Sequence, residues 1–170
     1  KLGQNVGSVI VLAFICQVLW AMGIHGPNTI AAVRDTMFAE AVNSNVLYAA
    51  QHGTAWGAPF PVTFNGLFDA FGAYGGSGAT LGLVIALILF SKAKDQKSIA
   101  KLSLAPGIFN INEMVIFGLP IILNPIYIIP FVLAPIVNII IGYSATCIFK
   151  IIPPVAYGVP WTTPGPLIPF

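Results

Sequence analysis

GIFNINEMVIFGLPIILNP, residues 107–125, sets one glutamate near the start of the most apolar part of the chain. Between Leu102 and Phe149, Glu113 is the only formally charged residue. An ionised carboxylate in an apolar medium is costly unless it is paired or hydrogen-bonded. Asn110 and Asn112 stand just before it, and prolines at 106, 120 and 125 interrupt any straight helix through the stretch. Irregular backbone at membrane depth is tolerated only where it packs in protein or lines a cavity. Residues 104–125 are therefore predicted to form a re-entrant hairpin, whose tip offers two amides and a carboxylate to a ligand rich in hydroxyls or amides. The structural alternative is a glutamate that satisfies orphan backbone groups at a helix end. A proton-coupling acid is a third reading, since burial favours the protonated form that relays need.

The composition points to the same medium. Of 170 residues, 57% are hydrophobic and only 7% charged, against about 25% charged in a soluble domain. Such a chain cannot cover its own surface with water-compatible groups, so a bilayer is the expected solvent. The formal charge of +2 is too small to suggest a nucleic-acid partner. Cys16 and Cys147 sit inside apolar runs and read as buried thiols acting as small hydrophobes. No phosphate-binding glycine loop, nucleophile elbow or metal-ligand cluster occurs, so no cofactor or metal is expected. The phosphoryl donor or covalent nucleophile of any reaction would lie on another domain or protein. The first residue is not Met and the last six, GPLIPF, are apolar, which suggests a fragment of a longer protein.

Residues 8–24 carry no charge, and at about 1.5 Å per residue they nearly match a hydrocarbon core of about 30 Å. This run is predicted as a transmembrane helix. In the more polar segment 25–58, Ile30, Val33, Met37, Ala41 and Val42 recur at helical spacing, as in an amphipathic helix lying at an interface. The GGSG at 75–78 should break the next element ahead of a spanning helix at 79–91. KAKDQKSIAK, 92–101, reads as a lysine-rich loop, and such loops usually face the cytoplasm. Residues 126–149 are long enough for a kinked span, whereas 151–170 hold six prolines and cannot be a regular helix. The predicted fold class is an all-α integral membrane protein of transmembrane helices and re-entrant hairpins.

WAMGIHGPN, residues 20–28, forms a second constellation. His25 follows directly on the first span, between Gly23 and Gly26, which permit close approach of a ligand or another backbone. A lone histidine is as readily structural, and His52, without such neighbours, reads as a loop residue. Trp20 and Trp161 are aromatic plates beside these motifs. They are either interfacial anchors or faces on which a pyranose ring stacks while amides and acids take its hydroxyls.

Four blocks in order, WAMGIHGPN (20–28), GGSGATLGL (75–83), FNINEMVIFGLPIILNP (109–125) and VPWTTPGPL (159–167), make the chain resemble a known family. This is EIIC, the membrane component of bacterial phosphoenolpyruvate-dependent sugar phosphotransferase systems, in its lactose/cellobiose/diacetylchitobiose branch. Met114 stands where many relatives carry proline. The resemblance implies that residues 1–170 correspond to the C-terminal, substrate-binding half of the membrane domain. The N-terminal half, which forms the dimer interface, and the last helix would be absent. It also implies a homodimer in the bacterial cell membrane, a β-linked disaccharide as substrate, phosphorylated EIIB as partner, and EIIA upstream of it. By the same resemblance Glu113 and His25 would meet the sugar hydroxyl that receives phosphate, Glu113 as base or acceptor. Asn112, Trp161 and Trp20 would line the pocket. Sugar uptake coupled to phosphorylation is thus the expected function. A proton-coupled secondary sugar transporter and a non-catalytic assembly subunit are the alternatives.

Overall fold

The computed structural model describes residues 5–164 and 167, and among these it contains helices and connecting loops but no strand. Helix α1, Val6–Ala21, starts at Asn5, whose side chain accepts from Gly7 N–H, and it is shorter than the predicted 8–24. Gly23, at φ +85°, ends it by turning the chain before His25. A single helical turn, α2, Gly26–Thr29, leads into α3, Ala31–His52, which stops at a left-handed Gly53. The segment does contain the expected long helix, but its inward stripe is Phe38, Ala41, Asn45 and Ala49. Val33, expected on that face, is exposed. Asn45 holds the following loop by pairing with both backbone groups of Phe60, at 2.7 and 3.0 Å. His52, read as a loop residue, closes α3 with its ring stacked on Tyr48.

The element after it is broken, as the glycines require. A π-helical stretch, Asn65–Gly72, is followed by left-handed Gly75, Gly76 and Gly78, a 3-10 turn at Ser77–Ala79, and then α4, Thr80–Phe90. The lysine-rich stretch corrects the sequence reading: it is not a loop. From Lys94 onward it forms the first turns of α5, Lys94–Ile108. Charge there reports exposure to solvent and says little about backbone, and no Gly or Pro interrupts 94–105. Residues 109–112 turn the chain, and α6, Glu113–Gly118, folds back along α5, since a Cβ on Gly118 would meet Ile99 at 2.9 Å. The result is a helical hairpin. Helix α7, Pro125–Tyr143, opens with Asn124 capping Ile126 N–H at 3.1 Å and a proline in its first turn, and it runs on as a π-helical turn, Ser144–Ile148. Residues 151–164 form no helix, as their prolines demand.

Two apolar clusters organise the packing. One joins Val9, Leu12 and Cys16 of α1 to Phe38, Phe64, Leu67, Phe68 and Ile139. The other joins Trp20 to Val84, Ala100, Val115, Ile116, Leu119 and Phe131. Many large apolar side chains remain outward, among them Phe14, Leu89, Phe90, Ile126, Ile129 and Ile141. Stretches Asn65–Phe90 and Pro125–Ile148 are long and apolar enough to cross a bilayer, and α1 is a shorter apolar helix.

Gly78 and Gly82 make a test of this packing. Gly78 has φ +77° and a Cβ there would strike the Phe131 ring, whereas a Cβ on Gly82, inside α4, meets nothing within 4 Å. Gly78→Ala should lower stability by about 1–3 kcal/mol through overpacking and backbone strain. Gly82→Ala should leave it unchanged or raise it by about 0.5–1 kcal/mol through helix propensity. Thermal unfolding of the detergent-purified protein separates the two.

Candidate functional site

The turn that carries Glu113 is built from amide hydrogen bonds. Asn110 takes the left-handed conformation, φ +63°, which asparagine tolerates better than most residues. Its Oδ1 accepts from Gly75 N–H at 3.0 Å, while its Nδ2 donates to the carbonyls of Trp161 and Thr163 at 2.9 and 2.8 Å. Asn112 Nδ2 donates to Ser77 O at 2.6 Å and Thr80 Oγ1 at 3.0 Å, and Thr80 Oγ1 in turn donates to Gly75 O at 2.6 Å. Gly76 has to be glycine: a Cβ would lie 2.6 Å from Asn110 O and 2.7 Å from Asn112 Cγ. Three segments distant in sequence, the glycine-rich loop, the turn and the 161–163 strip, are thereby locked together.

Glu113 is the first residue of α6, where the helix dipole favours a carboxylate. The sequence reading sets it among apolar neighbours, yet in the fold its side chain is exposed. It has no side-chain partner among the described residues. A carboxylate in this position is available to a ligand. Asn112 is buried, and its amide nitrogen is committed to Ser77 and Thr80. Trp161 is tied through its backbone carbonyl, which leaves its ring outward.

Trp20 and His25, the other predicted pair, lie at and just beyond the end of α1. His25 caps α2, its Nδ1 accepting from Asn28 N–H at 3.3 Å, so the neutral ring carries its proton on an outward Nε2. The Trp20 and His25 rings lie 4.8 Å apart. Trp20 packs in the same cluster as Val115 and Ile116 of α6, and Leu123 N–H donates to Ala21 O at 3.0 Å. The end of α1 is thus docked on α6 and the loop after it. The structure brings Trp20 to His25, and Trp161 to the turn before Glu113. No hydrogen bond or ion pair joins Glu113 to His25 among the described residues.

Sequence reasoning missed the clamping role of Asn110 and did not single out Ser77, Thr80 and Thr163. The available signal was a run of polar residues beside glycines in an otherwise apolar chain. It also passed over Asp69, partly buried in the first π-helical stretch, with Arg34 and Asp35 the charged groups acting on it. Arg34 donates to Asp35 Oδ1 at 2.7 Å, a bond that pushes its already high pKa further up, and lies 5.8 Å from the Phe64 ring centre. Two clefts of about 410 and 240 Å3 lie elsewhere, between the loop after α3 and residues 146–159. None of Glu113, His25 and Asn112 lines them. The first measures larger, but the chemistry-bearing side chains are at the amide-tied turn.

An all-helical apolar chain with a glycine-rich loop and a helical hairpin joined by buried amides has the architecture of a helical membrane protein. Residues 1–135 match the family described as Phosphotransferase system, EIIC, and the chain belongs to that family. It is 44% identical to the cellobiose-specific EIIC component of Lactococcus lactis, over 96% of this chain and 36% of that protein. It is 37% identical to the lichenan permease IIC component of Bacillus subtilis, over 96% of this chain and 35% of that one. The lactose-specific EIICB component of Staphylococcus aureus is 37% identical, over 88% of this chain and 25% of that protein. Among solved structures, the transporter ChbC, the IIC component of the N,N'-diacetylchitobiose-specific system, superposes with a TM-score of 0.86 at 40% identity. That match covers 96% of this chain and 37% of ChbC. The chain spans about a third of the length of the EIIC relatives, as 36% and 35% coverage show.

The clamp can be tested separately from the chemistry. Asn110→Asp keeps an acceptor for Gly75 N–H but turns a carboxylate toward two carbonyl oxygens. It should cost about 2 kcal/mol or more and raise amide exchange in residues 159–164. Asn124→Asp, at the cap of α7 where Asp serves as well as Asn, should leave both stability and exchange unchanged.

Proposed function

We propose that the chain is the substrate-binding half of an EIIC sugar permease of the cell membrane. In this reading it binds a β-linked disaccharide such as cellobiose, lactose or diacetylchitobiose and presents a hydroxyl to phosphorylated EIIB during uptake. The observation that carries it is the exposed, unpartnered Glu113 carboxylate on a turn held by Asn110 and Asn112. Family membership and relatives named for cellobiose, lichenan, lactose and diacetylchitobiose supply the substrate class. The name EIICB of the lactose-specific relative supports an EIIB partner.

In the proposed step the sugar hydroxyl oxygen attacks phosphorus on a cysteine of EIIB. The S–P bond breaks, a P–O bond forms, and the hydroxyl proton passes to Glu113 and from there to solvent. His25 donates its Nε2 proton in a hydrogen bond to the same oxygen or its neighbour and so orients it. Holding the hydroxyl and the phosphocysteine together supplies much of the rate. The exposed Trp161 ring would take a C–H face of the sugar, with the small exposed part of Trp20 bordering it beside His25 and Asn112 lining the pocket behind Glu113. The homodimer and the cytoplasmic side of Lys92–Lys101 belong to the same reading. EIIA, which recharges EIIB, acts upstream of it.

Glu113→Gln in the whole transporter tests this. Sugar binding should fall by no more than about tenfold, the net worth of one ordinary hydrogen bond, since glutamine keeps an acceptor oxygen, while EIIB-dependent phosphorylation falls by at least about a hundredfold, as for loss of a general base. Equal collapse of both would make Glu113 a sugar ligand only. Unchanged phosphorylation would remove it from the site.

A further inference from the structure

Gln17 lies one helical turn inward of Trp20 on α1 and is completely buried. It falls at the seam between the two apolar clusters: Ala13 and Cys16 before it belong to one, and Trp20 after it to the other. Among the described residues both polar atoms of its side chain, Nε2 and Oε1, lack a hydrogen-bond partner, and so does the buried Trp20 Nε1. Residues three apart on a helix share a face, so two donors and one acceptor project from the same patch of α1. Buried polar groups are almost always paired, and an unmade bond carries the whole desolvation cost of the group. Three such atoms on neighbouring side chains in an apolar interior imply a shared partner.

The chemistry of that partner follows from what it must satisfy. It has to accept from the indole N–H and from the amide Nε2, and donate to Oε1. A bare cation accepts nothing, and a fully ionised anion has no proton for Oε1. A hydroxyl carries one proton and two lone pairs, which meets all three demands. We infer that Gln17 and the Trp20 indole N–H form a buried hydroxyl-binding site on α1, filled by a hydroxyl of the substrate or by a water enclosed behind it. The inference rests on the sugar-binding reading of Trp20 and His25 and extends it inward. The Trp20 ring stands between the two, 4.8 Å from His25 and buried in the same apolar cluster as Val115 and Ile116 of α6. Gln17 therefore either touches the sugar or sets the position of the Trp20 ring that borders it.

The test uses the whole transporter with cellobiose and its monodeoxy analogues. The hydrogen-bond state of the Trp20 N–H is read from the tryptophan vibrational spectrum, with Trp20→Phe as the spectral blank. A hydrogen-bonded Trp20 N–H in the wild type is the expected result. If the bond forms only with sugar present, one analogue should bind about tenfold more weakly than cellobiose to the wild type, and Gln17→Leu should abolish that difference; the guest is then the sugar. If the bond is present with and without sugar, and Gln17→Leu weakens it while leaving the ranking of analogues intact, the guest is water. A free N–H in both conditions overturns the site, and the wild-type spectrum alone decides this if Gln17→Leu fails to fold. Should the wild type bind none of these sugars while its Trp20 N–H is hydrogen-bonded, the transport reading fails and the hydroxyl site stands as a water site.

Discussion

The side-chain amide of Asn110 is the interaction on which the arrangement around Glu113 depends. In an apolar environment each backbone N–H and C=O needs a partner, and a chain that leaves helical geometry loses the intrahelical ones. Three of the places where the chain leaves it meet at the turn before Glu113: the glycine-rich loop, that turn itself, and the strip around Trp161. Asn110 supplies an acceptor to the first and two donors to the third, while its own backbone makes the turn in the left-handed region. Asn112 repeats the arrangement on Ser77 and Thr80. Removing either amide would leave buried polar groups unpaired, a loss larger than the net worth of the bonds themselves.

This division of labour separates holding from reacting. The two amides before Glu113 are spent largely on backbone, so the acid that follows them projects from a rigid support with its carboxylate unengaged. On the other side of the site, the support for His25 is different in kind. It rests on the stop of α1 at Gly23, a ring nitrogen capping a four-residue helix, and the packing of Trp20 on α6. Hydrogen bonds fix one side and apolar contact fixes the other.

The parts of the fold legible in the sequence were those set by local composition. The apolar runs of α1, α4 and α7 announce themselves by hydropathy, and GGSG at 75–78 breaks the chain because few residues other than glycine accept its dihedrals. The lysine-rich stretch misled, because a rule about which side of a membrane positive charge prefers carries no information on backbone conformation. Glu113 was legible as a residue at a turn, from the amides and prolines around it, and its exposed side chain at the head of α6 agrees with that. The Asn110 clamp was out of reach because its partners lie 35, 51 and 53 residues away.

Those long separations bear on how the site is divided. Trp161 is bonded to the turn before Glu113, and the glycine-rich loop is bonded to the same turn, so these three segments form one hydrogen-bonded body. His25 and Trp20 belong to the end of α1, which meets that body at the Ser77–Ala79 turn, through the apolar cluster that Trp20 shares with α6, and through one backbone bond from Leu123 to Ala21. Directional bonds resist sliding far more than apolar contact does, so the weaker seam runs along the apolar cluster around Trp20. Gln17 and the Trp20 N–H lie just inside that seam, on the side of the body that carries no amide clamp. A polar guest there would add direction to a junction that otherwise has only shape, and so hold the Trp20 face at a fixed angle to the acid across the site.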